Sequence, residues 1–336
     1  MALRHPIPPG TRDVLVDERR ELRAIESALL ACFETHGYGE VQTPAIEYHE
    51  VLAAGDERGA PAAYRFFDEA GELLSLRTDM TVPIARLVGT RLAAAEPPFR
   101  LAYIGSAYRA VRPQRGQMRE FVQAGVELIG PPGPAGTVEI TAVLDAALDA
   151  VGLERAVIGI GDARLYGEVL AELGIEPELR DAALARLAAH DLVGLEADLR
   201  GVELAAEDRE TLVRLPALRG GPEVLSEARR LGGAAVEGAL ARLTAVIEGL
   251  AERGVGERVV LDLGMLRELG YYTGAILEVY DPALGHVLGG GGRYDDLTAR
   301  FGRPLPAAGF ALFVERLHIA RTEAERLGSA SAEPGS

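Results

Sequence analysis

Between Asp79 and Glu127 the chain gathers the groups that a small, charged, hydrogen-bonding ligand needs. Gln123 and Glu127 stand four residues apart in a β-prone run, so on a regular strand both project from one face. Across a Pro-Gln-Arg-Gly turn, Arg109, Arg112, Arg115 and Arg119 form a basic lip. Arginine forks match carboxylate and phosphate oxygens, and an amide beside a carboxylate accepts from amines and ring nitrogens. From the hairpin alone, solvated surface arginines fit equally well. Upstream, Leu76-Arg77-Thr78-Asp79-Met80-Thr81 lies at a strand-to-helix junction. One of Asp79 and Thr81 is expected to cap the helix starting near Val82-Pro83, which leaves the other to bind an amine. Arg267 precedes Tyr271-Tyr272. Neighbours on a strand face opposite sides, so one tyrosine packs in the core and the other reaches toward a ligand. Gly289 to Gly292, followed by Arg293-Tyr294-Asp295, is a place of close backbone approach, an αL-rich turn or a plain flexible turn.

Other chemistries are poorly supported. The chain lacks a GxxxxGK[ST] phosphate loop and a GxSxG elbow. His5, His36, His49, His190, His286 and His318 show no metal-ligand spacing, so no metal site is expected, and no cofactor motif is found. Cys32, the single cysteine, falls in an apolar helical pattern and reads as a small buried hydrophobe. Without a second cysteine there is no internal disulfide, which suits a reducing, cytoplasmic location. The formal net charge of −16 disfavours a free nucleic-acid-binding role, because phosphate contacts need a basic face. No secretory h-region and no bilayer-length apolar run is evident. With 336 residues, 48% of them hydrophobic, the chain can bury a sizeable core in about two domains.

The elements that must position these groups follow from periodicity. Residues 5–13 form a Pro/Gly-rich arm. A helix from about Asp17 carries Leu22, Ile25, Leu29 and Phe33 at helical spacing and stops near Gly37. Residues 40–46 read as a strand interrupted by Pro44. A hairpin over 64–77, a helix over 81–94, the long hairpin over 103–130, a helix over 139–151 and a strand over 156–160 come next. Residues 163–235, rich in Ala, Leu, Glu and Arg, read as mostly helical. A helix over 239–253, a strand over 258–263, a strand over 271–280 joined to its neighbour by the Gly-rich turn, and a strand-to-helix segment over 307–319 complete the pattern. Scattered hairpins with intervening helices predict an α+β fold around a largely antiparallel sheet.

Taken together, these segments resemble the class II aminoacyl-tRNA synthetase core, in its histidyl branch, over about residues 5–322. The Pro44 region resembles motif 1, the dimer-interface element of that class. Tyr108-Arg109 through Gly130 resembles motif 2, and Gly309 through Arg316 resembles motif 3. LRTDMT is similar to that family's LRPEGT, RELGYYTG to its RGLDYY, and GGRYD to its histidine-specific segment. The resemblance implies that Asp79, Thr81 and Gln123 hold the α-amino group of a histidine. Glu127, Tyr272 and Tyr294 would face the imidazole, with Tyr271 beside them, and Arg109 and Arg267 would lie near the carboxylate. The implied organisation is a synthetase-like core at 1–162 and 236–325, a helical insertion at 163–235, a disordered tail at 326–336 and no anticodon-binding domain.

The departures from that family are selective. Motif 2 of the synthetases has Arg-x-Glu, where the glutamate holds adenine; here Val111 follows Arg109-Ala110. Motif 3 has a glycine three residues before its arginine; here Phe313 precedes Arg316. Val111, Arg119, Phe313 and Arg316 therefore mark a degenerate nucleotide site. Loss of the adenine groups beside a kept amino-acid cluster resembles the HisZ family, the regulatory subunits of ATP phosphoribosyltransferase. That resemblance implies a non-catalytic subunit that activates a short-form HisG catalytic subunit, takes part in feedback by L-histidine, dimerises through the motif 1 region within a larger heteromer, and binds neither tRNA nor membrane. The alternative is a divergent histidyl-tRNA synthetase that still adenylates histidine.

Overall fold

In the computed structural model, which describes residues 7–56, 62–110, 118–189, 191–202, 204–265, 271–282, 284 and 286–331, the Leu22, Ile25, Leu29 and Phe33 stripe is the buried face of α1 (Val16–Thr35). Two short strands follow, β1 (Gly39–Glu40) and β2 (Ile46–Tyr48), in place of the one strand expected over 40–46. The interruption has a physical cause. Pro44 has no N–H to give a ladder, and the carbonyls of Thr43 and Pro44 accept from Arg77 Nη1 at 2.8 and 3.3 Å. Then come α2 (His49–Gly55), β3 (Arg65–Phe67), β4 (Leu73–Leu76) and α3 (Thr81–Thr90). The long hairpin is β5 (Phe99–Tyr108) and β6 (Glu120–Ile129), followed by α4 (Ala135–Ala150) and β7 (Val157–Asp162).

The next stretch holds α5 (Leu165–Glu172), α6 (Pro177–Ala188), α7 (Leu192–Leu199), α8 (Ala206–Arg214), a 3-10 turn at Leu215–Ala217, the two-residue strand β8 (Arg219–Gly220) and α9 (Glu223–Gly232). The chain closes with α10 (Ala234–Glu252), β9 (Val259–Asp262), β10 (Ala275–Tyr280), β11 (Val287–Arg293), β12 (Ala307–Phe313) and α11 (Val314–Ser331). Residues beyond Ser331 lie outside the described set.

Nine strands form one sheet in the order β1-β5-β6-β12-β11-β10-β7-β9-β8. Among the described residues only β1–β5 and β7–β9 pair in parallel, so the α+β expectation of a largely antiparallel sheet holds. The helix-rich stretch is tied to this sheet, because β8 pairs with β9. Strands β2, β4 and β3 make a separate small sheet.

Two expectations need correction. Gly289 to Gly292 form no turn; they are the middle of β11, a strand paired on both sides, with β10 and β12. Four glycines carry no side-chain alternation, so the usual strand signal is silent there. Tyr271 and Tyr272 precede β10 instead of lying in it, and their rings pack together at 4.9 Å instead of facing opposite ways.

Alternation along the sheet sends its two faces into two cores. Ala102, Ala124, Val126, Leu128, Ala308 and Phe310 pack under α1, α4 and α10. Leu101, Tyr103, Ile129 and Ala307 pack on the other face with α3 and with Tyr271 and Tyr294. The candidate site is on this second face.

Candidate functional site

Strand β6 delivers Gln123 and Glu127 to one face, as their spacing predicts, and both are buried. In register, Gln123 stands opposite Gly105 of β5 and Phe313 of β12, and Glu127 opposite Leu101 and Gly309. A Cβ at Gly105 would meet Met80 and Arg77, so the segment carrying Asp79 lies directly over this face.

Glu127 is the hub. Its Oε1 accepts from the Thr81 hydroxyl at 2.7 Å and its Oε2 accepts from the Tyr294 hydroxyl. The Tyr103 hydroxyl lies beside Thr81 and Glu127 and also donates to the Phe310 carbonyl at 3.3 Å. Burial pushes the Glu127 carboxyl up to about 8, against the opposing pull of the Tyr294 and Thr81 hydrogen bonds. At neutral pH Glu127 is therefore mostly protonated. Asp79 caps α3 by accepting from Val82 N at 3.1 Å through Oδ1. Burial raises its carboxyl to about 6, so it remains mostly charged at neutral pH. Burial likewise raises the phenols of Tyr103, Tyr271 and Tyr294 well above the ordinary tyrosine value, so all three stay neutral.

Two acceptors are left over. Asp79 Oδ2 and Gln123 Oε1 are both buried and, among the described residues, have no hydrogen-bond donor. Buried polar atoms are nearly always paired, so two orphan acceptors, one of them on the mostly charged Asp79 carboxylate, suit a cationic donor. An ammonium, with three N–H groups and no acceptor, fits this demand.

The sequence-predicted residues thus fall into three groups. Asp79, Thr81, Gln123, Glu127, Tyr271, Tyr272 and Tyr294 come together on this face. Thr81, expected beside an amine, donates its hydroxyl hydrogen to Glu127. Tyr271 is buried and edge-on to Tyr294 at 5.8 Å, while Tyr272 is half-buried. Arg109, Phe313 and Arg316 assemble next door with Phe121. The Arg109 guanidinium stacks over Phe121 at 5.2 Å, Phe121 meets Phe313 edge-on at 5.4 Å, and Arg316 stacks over Phe313 at 4.6 Å. Burial, and then the nearby Arg109 charge, lowers the Arg316 guanidinium below its usual value. Arg119 joins this edge through its backbone, whose carbonyl accepts from Arg109 N at 2.9 Å. Arg267, Val111, Arg112 and Arg115 lie outside the described residues.

Sequence reasoning missed three contributors. Tyr103 is fully buried beside Glu127. Arg77 ties the strand end to Ser106 O at 2.7 Å as well as to Thr43 and Pro44, which fixes the loop that carries Asp79. Gly309 makes room for the hub: a Cβ there would fall 1.8 Å from Glu127 Oε2. A glycine inside a predicted strand, which often marks a close approach, was the available signal for Gly309. Gly292 serves Tyr272 similarly, since a Cβ would meet that ring at 2.9 Å. Among the described residues no cluster of His, Cys, Asp or Glu could hold a metal, and no helix is long and apolar enough to cross a membrane.

The family model for histidyl-tRNA synthetase matches residues 10–317. An ATP phosphoribosyltransferase regulatory subunit of Moorella thermoacetica is 45% identical over 319 residues, which is 94% of this chain and 82% of that protein. One from Desulforamulus reducens is 40% identical over 330 residues, 98% of this chain and 81% of that protein. Among solved structures, an ATP phosphoribosyltransferase regulatory subunit/histidyl-tRNA synthetase from Bacillus halodurans superposes with a TM-score of 0.89 at 33% identity, over 95% of this chain and 84% of that one. Histidyl-tRNA synthetase from Nostoc superposes with a TM-score of 0.76 at 22% identity, over 99% of this chain and 77% of that one, a likeness of fold.

Proposed function

The chain belongs to the family of ATP phosphoribosyltransferase regulatory subunits, and we propose that its buried acid pocket senses L-histidine on behalf of a separate catalytic subunit. It is the regulatory, non-catalytic component of ATP phosphoribosyltransferase and works in histidine biosynthesis. The observation that carries the sensing role is the pair of orphan acceptors, Asp79 Oδ2 and Gln123 Oε1, beside the Glu127 hub. An α-ammonium satisfies both orphans. Glu127 and the tyrosines offer a carboxyl and hydroxyls that match the two nitrogens of an imidazole. Arg109 supplies charge for the carboxylate. Phe313, packed on Phe121, takes up space beside the pocket, which favours an amino acid alone over an aminoacyl adenylate.

The catalytic partner is a short-form HisG. Histidine acts on the complex only through unequal affinity for its active and inactive states, and a coupling on the order of 1–3 kcal/mol gives useful feedback. A second copy of the chain covers the small sheet, where Ile46, Tyr48 and Phe66 are exposed at 47%, 51% and 37% in register with Leu74 and Leu76.

Titration calorimetry with L-histidine tests the sensing role: binding that Asp79→Ala and Glu127→Ala each weaken at least tenfold is expected. Coexpression with a short HisG should yield phosphoribosyltransferase activity that histidine inhibits. Absence of histidine binding both alone and in that complex overturns the reading, and robust histidine-dependent ATP–pyrophosphate exchange would replace it with an adenylating enzyme.

A further inference from the structure

Arg293 and Asp295 flank Tyr294, the residue whose hydroxyl donates to Glu127. Their side chains join across it: Arg293 Nε donates to Asp295 Oδ2 at 2.9 Å, and Nη2 lies 2.9 Å from Oδ1. Arg293 pairs in register with Ala308, which belongs to the core under the helices, whereas Tyr294 belongs to the core on the pocket face. The ion pair therefore grips the strand end from behind the sheet while the phenol projects in front.

The grip reaches three other pieces of chain. Arg293 Nη2 donates to Pro131 O at 3.1 Å, in the segment leaving the strand that carries Glu127. Asp295 Oδ1 accepts from Ala307 N at 3.1 Å, and Tyr294 N donates to Ala307 O at 2.8 Å, so both residues hold the start of β12. Thr273, next to Tyr272, donates its N–H to Arg293 O at 2.7 Å, and its Oγ1 accepts from Asp295 N at 2.8 Å. Each segment that supplies Glu127, Tyr272 or Tyr294 meets at this one clasp. Its design is poor for stability alone: Arg293 is 6% exposed and its Nη1 is buried with no acceptor among the described residues. A buried donor left unpaired costs stability, so a reason other than stability is needed for an arginine there.

We propose that Arg293, Asp295 and Thr273 are positioning residues for ligand sensing, which hold the Tyr294 hydroxyl on Glu127 and so set the hydrogen-bonding face offered to a heteroaromatic amino acid. The proposal rests on the reading of this pocket as the histidine site.

The test is a double-mutant cycle on L-histidine affinity by calorimetry, using the wild type, Asp295→Asn, Thr273→Val, Tyr294→Phe, and each of the first two combined with Tyr294→Phe. Asp295→Asn keeps the acceptor for Ala307 N but loses the charge, and Thr273→Val removes the hydroxyl that accepts from Asp295 N without touching a charge, which covers a failure of the first to fold. Each single change is expected to weaken binding about tenfold, and each should add less than about threefold once the Tyr294 hydroxyl is gone. Urea midpoints of every variant report folding separately. A merely structural role predicts equal losses in both backgrounds; that result, or unchanged affinity in the single variants, overturns the clasp and leaves the pocket reading intact. A wild type that binds no histidine overturns both.

Discussion

Glu127→Gln separates the electrostatics of the pocket from its packing. In the folded protein burial moves this carboxyl from 4.5 to about 8. A group whose folded value is raised holds a proton that the unfolded chain has released, so stability falls as pH climbs between those two values and levels off above the upper one. At about 1.4 kcal/mol per unit the full loss is about 5 kcal/mol. Glutamine does not titrate. It keeps one acceptor oxygen for Thr81 or Tyr294 but places an amide NH2 against the other hydroxyl, a cost of roughly 1–3 kcal/mol at every pH. The wild type is thus expected to be the more stable protein at pH 5, the two to cross near about pH 6, and the variant to lead by roughly 2–4 kcal/mol at pH 9. The assay is urea unfolding from pH 5 to 9 at one protein concentration, with the protein dialysed free of histidine, because bound ligand and assembly both add stability by mass action. Asp79 titrates in both proteins and largely cancels in the difference. A difference between variant and wild type that stays constant within about 1 kcal/mol over this range, at unchanged m-values, refutes the argument that Glu127 is held protonated by burial.

Other consequences can be measured directly. Gly309→Ala puts a methyl into the space of Glu127 Oε2, so it should cost about 1–3 kcal/mol in urea unfolding and weaken histidine binding more than tenfold; wild-type affinity contradicts the assigned close approach. Arg77→Met leaves the carbonyls of Thr43, Pro44 and Ser106 without their donor and should destabilise by roughly 3 kcal/mol, whereas a change below 0.5 kcal/mol, the usual limit for a surface site, counts against its anchoring role. Tyr48→Asp places a charge on the exposed face of the small sheet; light scattering after size exclusion should show a folded monomer, and an unchanged dimer excludes that face as the contact between copies.

The fold was legible where side chains alternate or recur. The α1 stripe of Leu22, Ile25, Leu29 and Phe33 and the β5–β6 hairpin follow from apolar periodicity, which any strand or helix must show to bury one face. Legibility failed where the deciding partner is remote. Gly289 to Gly292 have no side chains to alternate, and only pairing with β10 and β12 makes them a strand. The sequence predicts Tyr271 and Tyr272 as strand neighbours facing apart, but β10 begins only at Ala275 and the two rings pack on each other.

The site divides along the same line. That Gln123 and Glu127 share a face is a local matter, fixed by the two-residue period of a strand, and the sequence alone determined it. The sequence also holds the carboxylates, the amide and the tyrosines that meet at the site. What those groups do once assembled was decided by tertiary structure. Asp79 came to cap α3 and Thr81 to serve Glu127, which the sequence left open. The protonation of Glu127 and the two orphan acceptors exist only because α3, β12 and the tyrosines close over β6 and remove water. Desolvation depends on everything packed around a group, and Thr81 and Tyr294, 46 and 167 positions from Glu127 along the chain, belong to that packing.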